Sequence, residues 1–156
     1  MGFEISSVQA WEVLDSRGRP TLAVTVGLAD GTVAEAGVPS GASTGTREAV
    51  ELRDGDPARF GGAGVSRAVA NVNGELHDGL SGRTWADLAE VDQAMRDLDG
   101  TPNKARLGAN AIIGTSMALA RALAAAAGSP LYEWLPGTGA PRRLPVPCVN
   151  VLNGGA

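Results

Sequence analysis

The chain has 156 residues, 44% hydrophobic and 19% charged, enough apolar material for a globular core and too much for a disordered chain. Thirteen bases against 17 acids give a net charge of −4, so no cationic field exists for a nucleic-acid backbone or an anionic membrane. A single cysteine, Cys148, excludes a disulfide framework and a multi-cysteine zinc site, and a single histidine, His77, excludes a cluster of histidine ligands.

The chain opens with no basic and apolar blocks of an export signal, so the reading is a cytoplasmic protein. Met1-Gly2-Phe3-Glu4-Ile5-Ser6 fits the short myristoylation pattern, which sequences match often by chance. Residues 5–14 and 21–28 read as strands, separated by the turn-forming Asp15-Ser16-Arg17-Gly18-Arg19-Pro20. Leu22, Val24, Val26 and Leu28 alternate with smaller residues, which puts one face of that strand on a core. Asp30-Gly31 supplies a hairpin turn, and residues 32–38 make a third strand of an antiparallel meander.

From Arg47 the period changes. Residues 47–53 are expected to form a short helical turn that stops at Asp54-Gly55-Asp56-Pro57. Val65, Val69, Val72, Leu76 and Leu80 then form one helix stripe, and Leu88, Val91, Met95 and Leu98 form another that ends at Asp99-Gly100. Residues 107–127 are Ala-rich and carry Asn110, Thr115, Ser116 and Arg121, which reads as a buried helix and not a membrane span. Residues 131–135 give a last turn. Three strands followed by about four helices define an α+β domain. Residues 136–143 read as a linker, and 146–152 as a further buried strand that contains Cys148.

Pro39-Ser40-Gly41-Ala42-Ser43-Thr44-Gly45 is the stretch richest in chemistry. Its glycines allow a loop to close over a ligand, and its hydroxyl and carbonyl oxygens suit Mg²⁺ or a phosphate. The alternative is a connecting loop whose Ser or Thr caps a helix starting near Arg47. Glu48, Glu51, Arg53, Asp54 and Asp56 would either position a substrate or metal, or form a solvated helix face. His77 reads as a boundary residue with no evident acid or nucleophile beside it.

The ordered series Asp15-Ser-Arg-Gly-Arg-Pro-Thr21, Pro39-Ser-Gly-Ala-Ser-Thr-Gly45, Glu51-Leu-Arg-Asp-Gly-Asp56, Leu98-Asp-Gly-Thr101, Asn103-Lys-Ala-Arg-Leu-Gly-Ala-Asn-Ala-Ile112, Pro130-Leu-Tyr-Glu133 and Leu144-Pro-Val-Pro-Cys-Val-Asn-Val-Leu-Asn-Gly-Gly155 resembles the N-terminal domain of enolase along essentially the whole chain. The resemblance implies a capping domain over residues 1–136, with 137–156 as linker and first strand of a C-terminal β/α barrel that is cut off here. It implies the glycolytic dehydration of 2-phosphoglycerate to phosphoenolpyruvate with two Mg²⁺ ions, in a cytoplasmic homodimer. It also implies that Ser40, Gly41, Ala42, Ser43 and Thr44 form a loop closing over the substrate, with Ser43 supplying oxygen ligands to the second Mg²⁺. The lysine base, the acidic groups, the ligands of the first Mg²⁺ and the phosphate-binding arginine belong to the family's barrel, so the 156 residues alone are expected to be inactive, with no catalytic residue of their own.

Three positions depart from the family pattern. Arg19 stands where asparagine is usual, and Trp11 and Ala23 stand where many enolases carry an arginine and a glutamate that pair across the dimer interface. Two other readings follow: a paralogue of specialised phosphonate metabolism, or a non-catalytic module acting through a barrel-bearing partner.

Overall fold

The computed structural model describes residues 2–41, 45, 47–135, 144 and 146–149. Ala42, Ser43 and Thr44, and most of the expected linker and barrel strand, lie outside the described residues.

The meander forms as its alternation predicts: β1 (Phe3–Leu14), β2 (Pro20–Leu28) and β3 (Val33–Gly37) pair antiparallel. A fourth strand, β4 (Thr84–Trp85), adds to the start of β1, giving the order β3-β2-β1-β4. Two residues carry too little periodicity to read as a strand. The indole of Trp85 explains the placement, since it is buried and its N–H donates to the Leu80 carbonyl at 3.0 Å.

The first helical stripe holds, with a change of pitch inside it. α1 (Ser66–Asn71) runs through a π-helical segment (Val72–Leu76) into α2 (His77–Leu80). Val65, Val72, Leu76 and Leu80 are fully buried, and Val69 packs partly buried against the same core. α3 (Leu88–Asp99) starts at Asp87, whose carboxylate accepts the Glu90 amide at 2.9 Å, and stops at Gly100 in the left-handed conformation (φ 68°).

α4 (Ala109–Ala126) is the spine of the domain, lying against β2 and β3. It is long and apolar enough to cross a membrane, but Ala111, Thr115, Ala118, Leu119 and Ala122 are buried in the core. Gly114 explains how closely it lies: a β-carbon there would sit 2.6 Å from Val24 Cγ2 and 2.7 Å from Val38 Cγ2. The final turn, α5 (Leu131–Trp134), forms as expected.

Two expectations fail, the helical turn at 47–53 and the burial of Cys148. Residues 47–53 are not helical; 49–56 form an irregular strap across the start of α4. The Val50 N–H donates to the Asn103 carbonyl and the Val50 carbonyl accepts from Ala109 N–H, both at 2.8 Å, which occupies a free donor of the first helical turn. Residues 146–149 are exposed and outside any strand, and Cys148 is exposed instead of buried. A strand forms only where a neighbour takes its backbone groups, and among the described residues none is recorded for this segment.

Candidate functional site

An open cleft of about 860 Å³ lies where the β1–β2 turn, the end of β3, the strap and the start of α4 meet. Ser40, Gly41 and Gly45 form one wall, Glu48, Val50, Glu51 and Arg53 another, and Ala109, Asn110 and Ile113 the floor. Phe60 stands at the rim, half exposed, with the Arg59 guanidinium 5.2 Å from its ring centre. The described part of the predicted loop, Ser40, Gly41 and Gly45, therefore borders this cleft.

The strap beneath it is fixed by a side chain that the sequence reading passed over. Asn110, buried at the start of α4, accepts the Leu52 N–H through Oδ1 and donates to the Leu52 carbonyl through Nδ2, both at 3.1 Å. Gly108 precedes it with φ 99°, and a β-carbon there would meet Leu52 Cβ at 2.6 Å, so glycine is needed on both counts. The buried Leu52 between outward-facing neighbours was the available signal: alternation in that motif argues for an extended strap, not a helix.

Among the described residues the charged cluster is neither a solvated helix face nor a convergent set of three acidic ligands. Asp54 accepts the Ser66 and Arg67 amides, each at 2.9 Å, and so caps α1 from a distance. Burial pushes the Asp54 carboxyl up, but those amides outweigh it and leave it below its usual value. Arg53 donates to the carbonyls of Pro20 (2.6 Å) and Ala63 (2.7 Å), to Ser40 Oγ (2.8 Å) and to Glu51 Oε1 (2.5 Å). Among the described residues no group of three carboxylate, histidine or cysteine side chains converges. Ser43, the expected Mg²⁺ ligand, lies outside the described residues. The capping alternative for Ser or Thr also falls, because no helix begins at Arg47.

His77 is half-buried at a boundary, as expected, and its partners are backbone groups. Its Nδ1 lies 3.2 Å from the Val8 N–H nitrogen and 3.1 Å from the Val8 carbonyl, and beside it Asn73 pairs with both backbone groups of Ala10. The two side chains occupy the edge of β1 beyond its short pairing with β4. His77 is therefore a structural residue, remote from the cleft.

A small meander backed by an Ala-rich helix, with an open cleft beside the end of β3, defines an α+β domain. Residues 5–135 match the family described as enolase, N-terminal domain, and the chain belongs to that family. It is 60% identical over 153 residues to an enolase from Rubrobacter xylanophilus, covering 98% of this chain and 35% of that protein. The chain thus spans about a third of the length of this relative.

Proposed function

We propose that these residues are the substrate-loop domain of a Mg²⁺-dependent hydro-lyase that converts 2-phosphoglycerate to phosphoenolpyruvate in cytoplasmic glycolysis. The observation that carries this reading is the 60% identity to an enolase over nearly the whole chain. In it, residues 1–136 form the cap and 137–156 lead into a β/α barrel that holds the base, the acid and the carboxylate ligands. Mg²⁺, when bound, would supply electrostatic stabilisation of negative charge developing on the substrate. Ser40, Gly41, Ala42, Ser43 and Thr44 contact the substrate side of the cleft, and Ser43 contributes oxygen to the second metal. The working unit is a homodimer.

Support from geometry is local: Ser40, Gly41 and Gly45 line the cleft. The test is phosphoenolpyruvate formation from 2-phosphoglycerate by the full-length protein, with and without Mg²⁺, beside the 156-residue chain. Turnover by the former only is expected. A full-length protein that binds Mg²⁺ but leaves 2-phosphoglycerate intact would sink the reading.

A further inference from the structure

Ser40 is held from two sides. Arg17 Nη2 donates to its carbonyl at 2.9 Å, and Arg53 Nη2 donates to its hydroxyl at 2.8 Å. Asp15 aims the first arginine, accepting from Arg17 Nε at 3.2 Å and Nη2 at 3.1 Å. The second is held more firmly, because its remaining bonds reach Pro20, Glu51 and Ala63 on separate stretches of chain. A guanidinium presents its donors in a fixed planar fork, so these three acceptors set its plane and leave one N–H aimed at Ser40. An ammonium on a flexible stem has no such fork.

The geometry points to Arg53 as a positioning residue: it fixes Ser40 where that residue lines the cleft. Arg53 acts through Ser40. The catalytic consequence rests on the lyase reading above; the fixing of Ser40 does not.

The test is a double-mutant cycle in the full-length protein, with Ser40→Ala, Arg53→Lys and both. Each single variant is expected to lower kcat/KM for 2-phosphoglycerate by roughly ten- to a hundredfold, the loss of one hydrogen bond to a charged group. The double variant should be no worse than Arg53→Lys, because both changes break the same bond. Ser40→Thr keeps the hydroxyl and should restore activity, which loss of packing alone would not predict. Amide exchange at Gly41, measured without substrate, should quicken in both single variants. Additive losses, or unchanged exchange at Gly41, would overturn the proposal. If the wild-type protein does not turn over 2-phosphoglycerate, the lyase reading fails, and exchange at Gly41 alone then decides whether Arg53 fixes Ser40.

Discussion

Asn73 pairs with Ala10 as a neighbouring strand would: its Oδ1 accepts the Ala10 N–H at 2.7 Å and its Nδ2 donates to the Ala10 carbonyl at 3.0 Å. Asn110 treats Leu52 the same way. A carboxamide carries the same donor and acceptor as a peptide group, so one asparagine on a helix satisfies an extended residue with no second strand. For β1 the consequence is a protected edge, since backbone groups left free there are a template for pairing with another chain.

Asn73→Leu should therefore cost about 1–3 kcal/mol for each backbone group it orphans, and Asn73→Asp a similar amount, because an acceptor then faces the Ala10 carbonyl where a donor stood. The denaturation midpoint reads the cost. Amide exchange at Ala10 reads its location, and a variant whose Ala10 amide stays protected would show that something else covers the edge.

Gly114 gives a prediction in which two effects oppose. Alanine is better than glycine in a helix by about 1 kcal/mol. Against that, the added carbon would lie within 2.7 Å of methyls on both Val24 and Val38, and forcing a packed core apart costs typically about 1–3 kcal/mol. Both valines sit in the wall between the sheet and α4, so neither yields freely. Gly114→Ala is expected to lower the thermal midpoint by several degrees. A raised midpoint would mean that α4 lies further from the sheet than described.

How much of this was legible follows from which signals repeat. Val65, Val72, Leu76 and Leu80 repeat at helical spacing, and Leu22, Val24 and Val26 at strand spacing, so a buried face announces itself several times over. The strap at Leu52, the two-residue β4, and the asparagines at 73 and 110 are each specified by a single tertiary contact, which leaves no period to read. Charge misled for a related reason. Glu51, Arg53 and Asp54 look like solvated residues in a sequence, and only the fold shows that Arg53 and Asp54 have acceptors and amides to serve. Ser40, Gly41 and Gly45 of the stretch at 39–45 line the cleft, while the two arginines that hold Ser40 left no signal in the sequence.

Trp11 stands directly opposite Ala23 across the β1–β2 ladder, 48% exposed where Ala23 is 8% exposed. The two positions that depart together from the family's charged pair are thus one patch, and Val13, exposed two residues along β1, extends it. The proposed homodimer should bury this apolar patch. Trp11→Asp is then expected to weaken self-association at least about tenfold in sedimentation equilibrium, as loss of a buried aromatic anchor does. A variant that dimerises as tightly as the parent would remove this face from the interface.

Acid should unfold the domain through three carboxylates, Glu12, Asp54 and Asp99, each held below its ordinary value. At Glu12 the Arg59 side chain does this, with the Val65 amide adding to it at 2.8 Å. At Asp54 burial acts upward and is outweighed by the Arg67 and Ser66 amides. At Asp99, 2% exposed, burial again acts upward, and the Thr101 hydroxyl with the Leu107 and Thr101 amides overcomes it. A lowered pKa in the folded state means that the unfolded chain takes up protons first as the pH drops. The stabilisation is therefore complete above the unfolded value of about 4 and is lost as the pH falls through the folded values. The unfolding midpoint should stay nearly level from neutral pH down to about 5 and fall steeply below. Asp99→Asn separates the contribution of the most buried group, because an amide cannot accept on both sides as the carboxylate does. It should lower stability at pH 7 by about 1–3 kcal/mol and flatten the acid slope, since one proton uptake is gone. An Asp99→Asn variant that keeps the parent's full acid slope would place the acid sensitivity elsewhere.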